Sequence, residues 1–150
     1  MKDAPILICY DGSTDAQRAI EAAAHLLGPR RAVVLDVGSS LTAAESLVVT
    51  APVAPGAAFG ALNEDDSRHR ARAGAELARR AGFDADPRAE LASPTWKGIL
   101  DTADEIDAAV IVLGSRGLSG AREAFQGSVS RDVAEHARRP VLIVPPGSSS

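Results

Sequence analysis

The sequence predicts an α/β fold in which parallel strands are joined by helical crossovers. Three observations carry that prediction. Short unbroken apolar runs recur, as in Ile6-Leu-Ile-Cys9, Ala109-Val-Ile-Val-Leu113 and Val141-Leu-Ile-Val144. Strands covered on both faces read this way. The segments between them place apolar residues at helical spacing, and glycine, proline or short polar residues mark the joints.

Taken in order, the first strand is Ile6 to Cys9, broken by Asp11-Gly12-Ser13-Thr14. Ser13 or Thr14 can cap the helix that follows, because a short hydroxyl satisfies orphan N–H groups. Ala16, Ala19, Ile20, Ala23 and Leu27 line one side of that helix, and Gly28-Pro29 ends it. Ala32 to Val37 is the second strand. Gly38 to Asn63 holds Pro52, Pro55 and Gly56 and reads as a long surface loop with a short helical turn. Glu64 to Ala81 is a polar, Ala-rich helix closed by Gly82. Arg88 to Ala92 is a weak third strand. Pro94 can open a helix in its first turn, with Trp96, Ile99, Leu100, Ala103 and Ile106 on one face. The strand 109–113 leads into a loop from Gly114 to Gly127. A helix from Ser128 to Arg138 turns Val129, Val133 and Ala137 inward, and the strand 141–144 closes the fold. No repeat or linker divides the chain. Residues 1–146 are expected to form one domain, with 147–150 a flexible tail.

Composition narrows the function. The chain has 150 residues, 45% of them hydrophobic and 24% charged, which suits one globular domain without staples. A net charge of −4 argues against a general nucleic-acid binder. No apolar stretch approaches the roughly 20 residues of a membrane span, and the N-terminal run is too short for a signal peptide. The single cysteine, Cys9, lies in an apolar run and reads as a buried hydrophobe. With no disulfide framework, a reducing cytoplasm is the expected location. His25, His69 and His136 lack zinc-ligand spacing, so no metal site is expected. Arg68, Arg70, Arg72, Arg79 and Arg80 read as a solvated helix face balanced by nearby acids.

The loop after the fourth strand carries the chemistry. It reads Gly114-x2-Gly117-x9-Gly127-Ser128. Gly114 and Gly117 let backbone amides approach a phosphate, because no Cβ intrudes. Gly127-Ser128 sits at a helix start, whose free N–H groups and positive end attract an anion. Ser128 and Ser130 add hydroxyl donors. Arg116 can pair with phosphate oxygens or lie in solvent; Arg122 is expected to face solvent. A Walker pattern is absent, because no Gly-Lys-Ser/Thr follows, and the spacing is not that of a Rossmann fingerprint. Asp11 can bind a ribose or simply turn the chain.

These residues resemble the universal stress protein family, in its ATP-binding branch. The resemblance rests on the Gly-x2-Gly-x9-Gly-Ser motif, the Asp11-Gly12-Ser13 turn and the closing Arg139-Pro140-Val-Leu-Ile-Val144, and it covers essentially the whole chain. It implies a single doubly wound five-stranded parallel sheet in the order 3-2-1-4-5, with helices on both faces. It implies a homodimer paired through the last strands. It also implies ATP, with Mg2+ on its phosphates, as the ligand. Asp11 would contact the ribose or adenine side with Tyr10 adjacent. The backbone of Val37 would meet the adenine edge, and Leu113 would lie near the ribose. Gly114, Arg116, Gly117, Gly127, Ser128, Val129 and Ser130 would surround the phosphates. The chain departs from the family pattern at Asp36, where relatives often carry His, and at Ala92-Ser93-Pro94, where Gly-Asp/Asn-Pro is usual. Trp96 follows this second stretch and can narrow the cleft.

Three functions stay open at this point: a nucleotide-binding regulatory protein, a slow ATPase or related enzyme, and a ligand-free interaction module. Asp11 and Glu123 are the only carboxylates that fall near the cleft, and the Walker lysine is missing, so hydrolysis is expected to be slow and no catalytic residue is assigned.

Overall fold

The computed structural model describes residues 3–38, 56–115 and 128–146. Five strands, β1 (Ile6–Cys9), β2 (Arg31–Gly38), β3 (Asp84–Leu91), β4 (Ile111–Gly114) and β5 (Val141–Val144), form one sheet in the order β3-β2-β1-β4-β5. Every pairing is parallel. The helices are α1 (Thr14–Leu27), α2 (Gly56–Arg80), α3 (Thr95–Glu105) and α4 (Ser128–His136). The predicted architecture and strand order are those observed.

Alternation along the strands splits the core in two. Ile6, Ile8, Tyr10, Ala32, Val34 and Ala85 face α1 and α2, packing with Ala16, Ala19, Ile20, Ala75 and Ala78. Leu7, Cys9, Leu35, Ile111 and Leu113 face α3 and α4, packing with Ile99, Ala103 and Val133. All four β1 residues are at most 1% exposed, so the central strand is anchored on both faces. Each such aliphatic side chain contributes about 1.5–3 kcal/mol. Small residues set the helix–sheet distance. A Cβ on Gly74 of α2 would come within 2.6 Å of Tyr10 Cδ1 and 2.8 Å of Val34 Cγ1.

Ser13 is the α1 cap: its hydroxyl accepts from Ala16 N–H at 3.1 Å. Most boundaries fall within two residues of expectation, and three differ in kind or by more. Residues 56–63 belong to α2 and not to a loop, with Gly56 its first residue; 39–55, the rest of the expected loop, and the tail 147–150 lie outside the described residues. β3 begins at Asp84, four residues earlier than read, because an edge strand tolerates the charges and proline of Asp84-Ala-Asp-Pro-Arg. Pro94 is the α3 N-cap, with ψ 160°, rather than a first-turn residue.

The two sheet edges differ. Asp84 N–H donates to Arg30 C=O and Ala92 N–H to Gly38 C=O, both at 3.0 Å, so the even residues of β3 turn their main chain toward β2. The odd residues face outward. There the Arg79 guanidinium donates to the Ala85 carbonyl at 2.9 Å, and Pro87 has no N–H to offer. Both devices blunt an edge. On β5, the carbonyls of Pro140 and Val144 accept from β4 and Ser115. Val141 and Ile143 therefore turn their N–H and C=O groups outward, and Ile143 is 37% exposed.

Candidate functional site

The chain runs from β1 outward through β2 to β3, then returns to place β4 on the other side of β1. Ligands of open α/β sheets bind at such a reversal, beyond the carboxyl ends of the strands. Here that point has a definite shape. Tyr10 N–H donates to the Leu35 carbonyl at 2.9 Å, so odd residues of β2 face β1. Leu7 N–H donates to the Val110 carbonyl at 3.0 Å, so even residues of β4 face β1 from the other side. β1 ends at Cys9 and turns away through Asp11-Gly12-Ser13. The main-chain groups of Val37 and Gly114 thus face each other across the column that β1 leaves. Two strand spacings, about 10 Å, separate them.

The turn forms the base of this crevice. Gly12 has φ +87°, a conformation suited to glycine. Asp11 is half-buried, and its Oδ1 accepts from Ser13 N–H at 2.9 Å. One carboxylate oxygen of Asp11 therefore shapes the turn. The two helices that start at the crevice have different ends. α1 is closed by Ser13 and carries Asp15 in its first turn. α4 begins at Ser128 with no acid in its first turn.

The remaining expected residues distribute as follows. Tyr10 turns its ring into the α1–α2 side against Gly74, and burial and Asp11 push its hydroxyl pKa up. Leu113 is fully buried on the opposite side, and Val129 packs against the same cluster. Ser130 is 6% exposed on the first turn of α4. Arg116, Gly117 and Gly127, with Arg122 and Glu123, lie outside the described residues. Cys9 is buried, and desolvation with the nearby Asp11 and Asp36 drives its thiol pKa far up, which makes it unreactive. Trp96 stacks on His136 with ring centroids 4.3 Å apart and does not stand alone. Among the described residues, no group of three His, Cys, Asp or Glu could hold a metal ion, and no helix is long and apolar enough to cross a membrane.

One group was missed. Asp36 is 3% exposed on β2, directly before Val37. The Ser67 hydroxyl lies 2.6 Å from its Oδ2 and 3.1 Å from its carbonyl oxygen. Arg70 forks onto the carboxylate, Nε to Oδ1 at 3.2 Å and Nη2 to Oδ2 at 3.1 Å. Arg70 is therefore not part of a solvated face: the hydrogen bond to Asp36 raises its guanidinium pKa, and α2 delivers it to the sheet. The signal was available. An acid inside an apolar strand needs partners, and Ser67 and Arg70 are one turn apart on the neighbouring helix.

Comparison with known proteins agrees with this architecture. The model of the universal stress protein family matches residues 4–145. Universal stress protein YxiE of Bacillus subtilis is 30% identical over 144 residues, covering 93% of this chain and 97% of the relative. Among solved structures, the hypothetical protein MJ0577 superposes with a TM-score of 0.78 at 18% identity, covering 99% of this chain and all of the other. The universal stress protein of Archaeoglobus fulgidus, solved in complex with dAMP, superposes with a TM-score of 0.65 at 23% identity, covering 96% and 99%. Family model, relative and fold coincide over nearly the full length: this chain belongs to the universal stress protein family.

Proposed function

We propose that this protein binds ATP in the crevice above β1 and acts as a stress-response regulator whose dimer or partner state follows the bound nucleotide. The observation that carries the reading is the crevice itself. Main-chain donors and acceptors of Val37 and Gly114 flank a gap about two strand spacings wide, which suits a flat base. Asp11 stands at its base, and the acid-free start of α4 suits phosphate. The Gly114-x2-Gly117-x9-Gly127-Ser128 spacing adds glycines where phosphate would approach. The dAMP of the Archaeoglobus fulgidus neighbour supports an adenine nucleotide. In this reading Tyr10, Asp11 and Val37 serve the base and ribose, with Leu113 beside the ribose. Gly114, Arg116, Gly117, Gly127, Ser128, Val129 and Ser130 serve the phosphates, with Mg2+ shared by the phosphate oxygens. The outward main chain of Val141 and Ile143, set against the blunted β3 edge, supports a homodimer through β5.

Isothermal titration with ATP tests the site. The wild type binds; Gly127→Val, which puts a branched side chain at the head of α4, weakens binding by about tenfold or more, roughly 1.4 kcal/mol. Undiminished ATP binding in both Gly114→Ala and Gly127→Val would falsify the assigned loop. Light scattering of Ile143→Glu with and without ATP tests the dimer: the variant is expected to be monomeric in both.

A further inference from the structure

The Asp36–Ser67–Arg70 group has no evident use in the fold alone. Taking a carboxylate out of water carries a desolvation penalty that its partners only offset, and an apolar side chain of similar size is often as stable. Position 36 continues the face of β2 that carries Ala32 and Val34, both buried against α1 and α2, so a valine there would complete that face.

What the group touches is the crevice. Asp36 C=O and Val37 N–H share one planar trans peptide and point in opposite directions. The β2–β3 ladder turns that carbonyl toward β3, and the Ser67 hydroxyl, 3.1 Å from it, ties the same peptide to α2 and so steadies the direction in which Val37 N–H points across the gap. Arg70 reaches from this wall toward the base. Its guanidinium holds Asp36, and its Cδ lies 3.6 Å from where a Cβ on Gly12 would sit, over the turn that carries Asp11. The side chain is 37% exposed. One arginine from α2 therefore bonds β2 and lies beside the β1–α1 turn, close enough to feel the charge of Asp11.

We propose that Arg70, seated on Asp36 and Ser67, is a positioning residue that holds the Val37 peptide in register for the base of the bound nucleotide. The proposal rests on the nucleotide reading above. It does not require Arg70 to touch the ligand. It predicts that the group sets base preference, because the base alone meets the Val37 wall.

Removing Arg70 singly leaves a buried carboxylate unpaired and risks unfolding. The informative variant is Asp36→Val/Ser67→Ala/Arg70→Met, which removes the group without orphaning a charge, with Ser67→Ala as a milder companion. Circular dichroism checks folding, and isothermal titration measures ATP and GTP, which share ribose and phosphates. The expected result is a folded triple variant whose ATP affinity falls about tenfold, the loss of one well-placed hydrogen bond. GTP affinity changes by less than about threefold, so the preference for ATP collapses. Ser67→Ala moves the same way by less. An ATP-to-GTP ratio unchanged in the triple variant overturns the proposal and leaves the group a structural one; equal loss of both nucleotides does the same. A wild type that binds neither nucleotide overturns the nucleotide reading itself, and the proposal with it.

Discussion

Gly98 is the position where a single methyl should be felt in two elements at once. It lies within α3, and a Cβ there would sit 2.6 Å from the Cβ of Ala92 and 3.4 Å from Val37 Cγ1. Ala92 Cβ is fixed to the backbone just after β3, where Ala92 N–H donates to the Gly38 carbonyl at 3.0 Å, so it has no rotamer by which to move aside. Restoring ordinary contact near 3.6 Å requires α3 to move by about 1 Å, and overpacking of this kind costs about 2 kcal/mol. Alanine returns about 1 kcal/mol of helix propensity. Gly98→Ala should therefore lose about 1 kcal/mol net, or roughly 2–4 °C in Tm for a domain of this size. The sharper test is the cycle with Ala92→Gly, which removes the opposing methyl. In Ala92→Gly/Gly98→Ala the clash is gone and the propensity gain remains. Urea denaturation of the four proteins should return a coupling energy of about 2 kcal/mol favouring the double variant. Coupling below about 0.5 kcal/mol, the scatter of independent sites, would refute the claim that these two positions set the α3–sheet distance.

Other consequences are simpler to measure. Ser13→Ala removes the α1 cap and should cost about 1 kcal/mol in urea denaturation, with Ser13→Asn close to wild type. Cys9 has a thiol pKa raised by burial, so the folded state keeps it protonated while the unfolded state ionises near the ordinary ~8.5. Its contribution is full below that value and is lost as pH rises above it, by at most about 1.4 kcal/mol per pH unit. Between pH 8 and 10 the wild type should lose more stability than Cys9→Val, and native protein should resist thiol reagents until it unfolds. Arg79→Ala/Pro87→Thr restores an N–H and uncovers a carbonyl on the β3 edge; light scattering should show concentration-dependent association beyond the wild-type state.

The parts of the fold that were legible in the sequence are those decided by burial on both faces. β1 and β4 announce themselves because nothing polar interrupts them, and α1 because Ser13 and Gly28 bracket a clear apolar stripe; β5 is as apolar in sequence although it lies at an edge and is only part-buried. β3 was read late because it is an edge: Asp86 and Glu90 cost nothing where one side meets solvent, so its alternation is blurred. The first turns of α2 were hidden by Gly56 and Gly60, which read as loop residues although a helix held by later packing tolerates them. The site divided in the same way. Gly114, Ser128 and Asp11 carry local signals in turn chemistry and helix starts, while Asp36, Ser67 and Arg70 are 31 and 34 positions apart across the sheet. Only the three-dimensional pairing of β2 with α2 turns a lone acid and a nominally solvated arginine into one device.

β1 is a four-residue strand beside the eight residues of β2, and that difference in length has an energetic meaning. The crevice is a stretch of sheet with its central strand missing, so a ligand seated between Val37 and Gly114 would stand in for that strand. Occupancy and folding are then linked: saturating ligand raises stability by RT ln(1 + [L]/Kd), about 2.7 kcal/mol at a hundredfold excess over Kd. The place to see it is amide hydrogen exchange. Protection should rise first at the free ends of β2 and β4, where the sheet is open, and least in β1, whose residues are already sealed on every side.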